Sequence, residues 1–335
     1  MLFFKRYLLP RIIQFLVVVF VGITVVFIVP RLTPVDPVQQ VISQMTSQGA
    51  FLDPAAVEAL RQSLTEMYGL EGGIFQQYVA FWGRLLHGDF GPSLFQFPVP
   101  VMELIMDSLP WTAGLLLTTT ILSWLVGSII GALAGYFKNK TWAQTLDNIA
   151  MVVRPIPYYI FALLLLIVFA YLIPIFPSAG GYSVGRQIGF NWAFISDVLV
   201  HSFLPAISLM VLGIAANIQT MKLIVSNIVA EDYVMYAKAG GLKESKIAFK
   251  YVFRNGLLPQ VTNLALSLGQ IFGGALITEI VFAYPGIGTL LYGAINSNDY
   301  NLIIGVVSLS VIGIASATLI IDLIYPLFDP RVRYR

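Results

Sequence analysis

Residues 112–136 read TAGLLLTTTILSWLVGSIIGALAGY, a stretch of 25 residues without a single Asp, Glu, Lys or Arg. At 1.5 Å per residue, this run is long enough to cross a hydrocarbon core of about 30 Å. Backbone groups in lipid find no water to bind, so they must pair within the segment, and the run must be a helix. The stretch therefore predicts a membrane-spanning α-helix and decides the class of fold.

Five further runs of similar length and composition accompany it, and only Glu279 interrupts one of them. They lie at about 12–29, 157–176, 203–221, 261–282 and 302–321. The composition agrees with this pattern, because 58% of the residues are apolar and 11% are charged, against roughly 25% charged in soluble globular chains. The predicted fold class is all-α, a polytopic membrane protein with six transmembrane helices.

The remaining composition excludes several function classes. The net charge is only +2, so no global basic field favours nucleic acid. There is no cysteine, which excludes disulfides and thiol nucleophiles, and two histidines are too few for a metal cluster. We therefore expect no catalytic residue and no metal site in this chain.

Lys and Arg residues are distributed unequally between the two sides of the predicted spans. Fifteen lie at the termini and in the loops after the second and fourth runs, and four (Arg31, Arg61, Arg84 and Arg186) lie on the opposite side. Basic residues near span ends resist translocation, so this asymmetry predicts that both termini are cytoplasmic. Because Val29-Pro30-Arg31-Leu32 offers no small-x-small cleavage pattern, we expect the first run to be an uncleaved helix.

The segment 31–110 is too long for a simple connection, and it is predicted to be a helical extracytoplasmic insertion. Asp53-Pro54 forms an N-cap followed by proline, and Gly69 ends the pattern that follows. A second apolar pattern begins near Phe75 and ends at Gly88. The two helices are expected to cap the outer mouth. Eight acidic residues occur here: Asp36, Asp53, Glu58, Glu66, Glu71, Asp89, Glu103 and Asp107. They form either a solvated surface or a docking surface for an extracytoplasmic partner.

The loop 222–259, between the fourth and fifth runs, carries the most informative cytoplasmic pattern. Val229, Tyr233, Tyr236 and Ala237 recur at helical spacing. Gly240-Gly241 ends that helix, because glycine readily takes the left-handed conformation. A second, basic helix then leads to Leu257-Leu258-Pro259. Such a pair of short rigid elements suits either a groove in another protein or a membrane surface with anionic lipid.

This loop resembles that of the membrane subunits of ABC importers, and more specifically that of the dipeptide and oligopeptide permease branch. The matching residues read Asp232-Tyr233-Val234, Ala237-Lys238-Ala239-Gly240-Gly241-Leu242 and Arg254-Asn255-Gly256-Leu257-Leu258-Pro259. Other matches are Gly88-Asp89-Phe90-Gly91, Glu279 to Phe282, Pro285-Gly286-Ile287-Gly288, Asp299-Tyr300, Asp322-Leu323 to Tyr325 and Asp329-Pro330-Arg331. The chain departs from the pattern where Tyr236 replaces the glutamate of the general motif, and where Gly240 and Gly256 replace the usual Lys and Ala.

The resemblance implies a type I ABC importer permease fold and the first (B-type) of two permease subunits in a bacterial or archaeal cytoplasmic membrane. It implies a second homologous permease, two ABC ATPase subunits that bind ATP and Mg, and an extracytoplasmic substrate-binding protein. The chain has no Gly-x-x-x-x-Gly-Lys-Ser/Thr loop of its own, so we expect no cofactor in it. The implied domains are 1–30, 31–110, a permease core 111–325 and a tail 326–335. The residues expected to couple to the ATPase are Glu231, Asp232, Tyr233, Tyr236, Ala237, Lys238, Ala239, Gly240, Gly241, Leu242, Arg254, Asn255 and Pro259.

Polar groups in apolar spans are candidates for the translocation pathway and gate, because a polar group in lipid is costly unless it faces a protein interior or a water-filled cavity. They are Asn217, Gln219, Thr220, Gln270, Thr278 and Glu279, together with the turn residues Pro285, Gly286 and Gly288. For the amides and hydroxyls the alternative is interhelical hydrogen bonding. Glu279 is expected to gate the outer side or to lie at headgroup level, and Pro285 to Gly288 to form a tight or re-entrant turn.

Two other classes of function are weaker alternatives. A proton-coupled secondary transporter needs an intramembrane acid or histidine relay, and five of the six runs carry no charge. A membrane-embedded enzyme is not supported by any HExxH or Ser-His-Asp pattern. The expected solutes are dipeptides or oligopeptides. The resembled branch also includes importers of nickel chelates and of oligosaccharides, which the sequence does not separate.

Overall fold

The computed structural model describes residues 7–32, 38–39, 42–43, 53–94, 96–269, 271 and 275–328. Thirteen α-helices are labelled in chain order: α1 (Leu9–Arg31), α2 (Pro54–Met67), α3 (Ile74–Leu86), α4 (Val101–Tyr136), α5 (Thr141–Val153), α6 (Tyr158–Leu166), α7 (Trp192–Val229), α8 (Asp232–Ala239), α9 (Glu244–Lys246), α10 (Arg254–Gly269), α11 (Leu276–Val281), α12 (Ile287–Asn296) and α13 (Tyr300–Phe328). Two π-helical segments, π1 (Ile167–Leu172) and π2 (Ile247–Phe253), continue α6 and α9. The described residues contain no strand beyond one antiparallel bridge between Pro92 and Pro100, so the all-helical prediction is confirmed.

Four helices are long and apolar enough to cross a membrane: α1, α4, α7 and α13 up to Ile324. A fifth candidate is the pair formed by α5 and Tyr158–Leu172, which bends by 93° at its break. This confirms a polytopic membrane protein, with up to five spans among the described residues. The count of six stays a prediction.

The fifth predicted run, 261–282, is not one continuous helix. It falls across the end of α10, four residues outside the described part of the chain, and the short α11. The sequence there holds Gly269, Gly273 and Gly274, each of which disfavours helix by about 1 kcal/mol relative to alanine. The absence of charged residues correctly identified an apolar segment, but this criterion takes no account of the glycines that disfavour a continuous helix.

The α4 and α7 helices run parallel in closest contact, because one face of α4 carries a glycine at every fourth position. Gly127 lies against Asn217, Gly131 against Ile218 and Gly135 against Val225. Glycines let two backbones approach closely in a membrane, where packing rather than the hydrophobic effect joins helices. The two longest helices therefore form a tight pair over about two helical turns of α4.

Helix α1 packs antiparallel along α13. Gly22 faces Val311, and near the far end the guanidinium of Arg11 lies 3.2 Å from the Asp322 carboxylate. The Arg31 end of α1 therefore lies at the same side of the molecule as the start of α13. We call this the insertion side, because α2 and α3 lie there. The opposite side, where α4 ends at Tyr136, is called the α8 side.

Both predicted helices of the insertion are confirmed. Asp53 is the N-cap of α2 with Pro54 as its first residue, and Gly69 follows with φ of 61°. Gly88, with φ of 70°, ends the turn after α3. Helix α4 begins at Val101, so its first ten residues lie within the range predicted for the insertion.

Asp299, at the start of α13, attaches the insertion to the helical core. Its buried carboxylate accepts hydrogen bonds from the Ser93 hydroxyl at 2.6 Å and from the Leu94 amide at 2.7 Å. The side-chain amide of Asn301 donates to the Pro92 carbonyl at 3.1 Å. These contacts join residues more than 200 positions apart in the chain, so the insertion is fixed on the core rather than tethered to it.

Candidate coupling surface and buried polar cluster

The short helix α8 lies within the predicted loop 222–259, whose first eight residues belong to α7. The structure corrects one detail, because Val229 belongs to α7 and not to the loop helix. Ala230 ends α7, Glu231 takes an extended conformation as the N-cap of α8, and Asp232 opens the new helix. An acidic residue in the first turn is favourable there, because it faces the unpaired N–H groups of the helix start.

The predicted glycine corner ends α8. The Gly240 amide donates to Tyr236 and the Gly241 amide donates to Lys238. Gly240 keeps an ordinary φ of −73°, whereas Gly241 takes φ of 70°. The left-handed conformation therefore falls on the second glycine only, and the Leu242 amide closes the corner on the Ala237 carbonyl at 3.3 Å.

One face of α8 is buried and the other is exposed. Val234 and Ala237 pack into an apolar cluster with Met221 and Val225 of α7. On the opposite face, Tyr236 keeps 76% of its surface exposed. The helix is therefore held firmly on the end of α7 while it presents an aromatic, partly charged surface. That exposed surface holds Glu231, Asp232, Tyr233, Met235, Tyr236, Lys238 and Ala239.

The second half of the loop is fastened to the first. Asn255 donates its side-chain amide to the Tyr233 hydroxyl at 3.1 Å and to the Tyr251 carbonyl at 2.7 Å. Arg254 is exposed at the start of α10, and Pro259 lies inside the same helix. The structure thus brings Asn255 to α8. Arg254 is its neighbour in the chain, and Pro259 lies more than one turn further along α10.

Two of the three polar candidates of α7 form hydrogen bonds within their own helix. Asn217 donates to the Gly213 carbonyl at 2.9 Å and Thr220 donates to the Ala216 carbonyl at 3.0 Å, each four residues back in the same helix. Gln219 instead accepts a hydrogen bond from Arg154 at 2.8 Å. Only Gln219 therefore forms a side-chain hydrogen bond to another part of the chain.

Glu279 is at the centre of a buried polar cluster at the insertion side. Its side chain is fully buried and accepts from the Thr112 hydroxyl at 2.8 Å and from the Gly288 amide at 2.6 Å. The Thr112 hydroxyl accepts in turn from the Ile287 amide at 2.8 Å. Two of the free N–H groups that open α12 are thereby satisfied, and Glu279 joins α11, α4 and α12.

The predicted turn at Pro285 to Gly288 is present, and its glycines leave no room for a side chain. Chain bends at Pro285 and Gly286 precede α12. A methyl group on Gly286 would overlap the Glu279 carboxylate, and one on Gly288 would lie 2.6 Å from Leu276 Cα. Both positions therefore require glycine because the backbone passes directly over the carboxylate.

The two groups of polar candidates are far apart. Asn217 faces Gly127 and Glu279 binds Thr112, and these positions on α4 are separated by fifteen residues, about 22 Å of helix. Thr278 is also buried, and its hydroxyl has no hydrogen-bond partner among the described residues. Gln270 lies outside the described residues.

Several structurally important residues were not predicted. From the sequence, Thr112 is predicted only to start an apolar run, and Gln260 is assigned to no element. Gln260 is fully buried, and neither end of its side-chain amide has a partner within the part of the chain that the structure describes. The fourfold spacing of Gly127, Gly131 and Gly135 was a signal in the sequence for close helix packing.

The acidic residues of the insertion leave both alternatives open. Seven of the eight are exposed, and Asp36 lies outside the described residues. An exposed acidic surface serves equally as a solvated face and as a docking face.

Comparison with known proteins yields a consistent set of relatives. Over residues 127–334 the chain matches the family described as "Binding-protein-dependent transport system inner membrane component". It is 30% identical to the oligopeptide transport system permease protein AppB of Bacillus subtilis over 317 residues, which cover 94% of this chain and 96% of the relative. It is 28% identical to the oligopeptide permease OppB of Haemophilus influenzae, covering 98% and 99% of the two chains. It is also 28% identical to the dipeptide permease DppB of Escherichia coli K12, covering 94% and 95%.

Proposed function

This chain belongs to the family of binding-protein-dependent transport system inner membrane components, and from that premise we propose that it is the B-type permease subunit of an ATP-driven peptide importer. It would form one half of a translocation pathway and take peptides from an extracytoplasmic binding protein. Relatives named as oligopeptide and dipeptide permeases match it over nearly their whole length, which supports peptides as the solute.

The observation that carries this proposal is the arrangement of α8. A short helix with a buried apolar face and an exposed face bearing Tyr236 fits the groove of a partner protein. Because Val234 and Ala237 are anchored among Met221 and Val225 of α7, a displacement of α8 must move the end of α7. We assign the coupling role to the exposed face of α8 together with Arg254 and Asn255.

Movement at α8 would reach the insertion side through the α4–α7 pair. The glycine contacts at Gly127, Gly131 and Gly135 hold these two helices together. At the far end, α4 binds Glu279 through Thr112. We therefore propose that ATP-driven closure of the partner subunits moves α4 and α7 as one body, and that the Glu279 cluster rearranges when the pathway opens outward.

The proposal places ATP hydrolysis outside this chain. ATP and Mg would be bound by two partner ATPase subunits on the α8 side, and a second permease would complete the pathway. The charge asymmetry supports a cytoplasmic α8 side, because six basic residues lie between the fourth and fifth predicted runs. On this orientation the insertion, with its acidic face, meets the binding protein outside the cytoplasm.

Reconstitution tests the proposal directly. The permease pair, the ATPase pair and the binding protein are placed in proteoliposomes, and uptake of a labelled dipeptide and a labelled pentapeptide is measured with ATP inside. We expect uptake that needs ATP, all four membrane-associated subunits and the binding protein. Saturable uptake of an oligosaccharide or a nickel chelate without peptide uptake would contradict the solute. ATP-independent uptake driven by a proton gradient would contradict the transporter class.

A further inference from the structure

The helix α3 has an apolar edge that no described part of the chain covers. Phe75, Val79 and Leu86 keep 75%, 56% and 80% of their surfaces exposed. At about 100° per residue these three positions lie within about 40° of one another around the helix. They therefore form one continuous apolar edge rather than scattered exposed residues.

A second apolar edge of α3 packs on the spanning helices. Phe81 is buried with Ile23 and Phe27 of α1, and Tyr78 and Trp82 pack beside it. The polar positions, which include Gln76, Gln77 and Arg84, occupy the remaining arc. Helix α3 thus has three sectors: one against α1 and α13, one polar, and one apolar and open.

Contacts with α1 show how far each part of α3 lies from the Arg31 end of α1. The Tyr78 hydroxyl lies 2.6 Å from the Thr24 hydroxyl, and the Tyr78 and Phe81 rings contact Phe27 at centroid distances of 5.1 and 5.4 Å. Phe27 is four residues from the Arg31 end of α1, about 6 Å along the axis. Trp82 stacks on Phe20 at 5.8 Å, about 16 Å from that end.

The charged group at the end of α1 lies at a similar depth to the Tyr78 and Phe81 contacts. The Arg31 side chain folds back along its own helix, where its guanidinium donates to the Phe27 carbonyl at 2.9 Å and lies 3.6 Å from the Phe27 ring centroid. It also reaches Gln77 of α3 at 3.3 Å. Gln77 of α3 therefore contacts Arg31, the charged residue at this end of α1, whereas the aromatic rings of α3 contact α1 farther from that end.

We propose that α3 lies within the membrane leaflet at the Arg31 end of α1, with Phe75, Val79 and Leu86 in contact with lipid acyl chains. The Tyr78 and Phe81 contacts lie about 6 Å from the Arg31 end of α1, within the 5–10 Å at which amphipathic interfacial helices sit, and the Trp82 contact lies deeper, at about 16 Å. The open edge also continues the exposed apolar surface of α1, where Val17, Phe20 and Val21 have 51–55% of their surfaces exposed. The helix is then an interfacial anchor beside the pathway and not a cap over its mouth, and this inference does not depend on which solute is carried.

The absence of cysteine from the natural chain makes the test clean, because each introduced thiol is the only one in this subunit. The complete transporter is placed in lipid nanodiscs, where both faces are reachable, carrying Phe75→Cys, Val79→Cys or Leu86→Cys. Matched controls on the polar arc of the same helix are Gln76→Cys and Ala80→Cys. A membrane-impermeant polyethylene glycol maleimide is added, and the mass shift of this chain is followed on a gel.

We expect the three apolar-edge cysteines to react at least about tenfold more slowly than the two controls, as for thiols below the headgroups. A benzoylphenylalanine photoprobe at Phe75 or Leu86 then identifies what covers the edge, and we expect adducts of phospholipid mass. Reaction rates equal to those of the controls would overturn the proposal in favour of a water-exposed surface. Protection combined with photo-adducts to another subunit would overturn it in favour of a protein interface.

Discussion

Replacing Gly131 by alanine tests whether α4 and α7 act as one body. A methyl group at this position would lie 2.6 Å from the Ile218 carbonyl oxygen and 2.9 Å from Met221 Cβ. Contacts between carbon atoms are ordinarily about 3.5–4 Å, so the helices must separate by on the order of 1 Å. Backbone atoms cannot rotate away as a side chain does, and overpacking of this kind costs about 1–3 kcal/mol.

Gly114 provides the matched control because it lies in the same helix with open space around it. Apart from its chain neighbours and the backbone of its own helical turn, no atom of the described chain lies within 4 Å of a methyl group built on Gly114. Both Gly→Ala changes gain the same helix propensity, about 1 kcal/mol. That gain cancels when the variants are compared, and the remaining difference of about 1–3 kcal/mol measures the α4–α7 contact alone.

The assay combines stability with transport. The assembled transporter is heated in detergent, and the amount of this chain left in solution is followed for the wild type, Gly131→Ala and Gly114→Ala. Peptide uptake per ATP hydrolysed is measured in proteoliposomes. We expect Gly131→Ala to lower both the midpoint temperature and the uptake per ATP, and Gly114→Ala to lower neither. Equal behaviour of the two variants would refute the tight pair and the transmission of movement through it.

Two further predictions concern the ends of that pair. Gly241→Val should leave the complex assembled yet uncouple ATP hydrolysis from uptake, because the φ of 70° costs a non-glycine residue roughly 1–2 kcal/mol. Gly240→Ala is the control that should retain coupling, because Gly240 has an ordinary φ of −73°. Equal uptake per ATP in the two variants would disprove the role of the glycine corner. Thr112→Val keeps the side-chain shape but leaves the Ile287 amide without its acceptor, which costs about 1–3 kcal/mol and should speed hydrogen exchange at the start of α12. Thr118→Val should not change this exchange, because the Thr118 hydroxyl bonds within its own helix, and slow exchange in both variants would contradict the cluster.

Much of the fold follows from charge and length alone. Runs without charge located α1, α4, α7, α13 and the α6–π1 segment, because lipid forces such runs to be helical. Proline and glycine located the ends of α2, as Pro54 and Gly69 show. The break in the predicted run 261–282 was missed, since the absence of charge says nothing about helix continuity.

The candidate coupling surface was more predictable than the buried polar cluster. Helix α8 is local, so its N-cap and its glycine corner are encoded within a dozen residues. The Glu279 cluster instead joins positions 167 and 175 residues apart through Thr112. Which of many membrane threonines meets a carboxylate depends on how helices pack, and periodicity within a helix does not contain that information.

Hydrogen-bond partners also change how polar residues in spans should be interpreted. Asn217 and Thr220 satisfy themselves on carbonyls four residues back in α7, so they can lie in an apolar environment at little cost and their polarity does not require a pathway. Glu279 cannot be satisfied in this way, because a buried carboxylate needs several donors and α11 alone does not provide them. Its burial therefore binds three helices together at the insertion side. We propose that the outward-opening movement separates α4 from α12. Such a movement would break those hydrogen bonds, so we expect Glu279 to be the polar residue whose environment changes during transport.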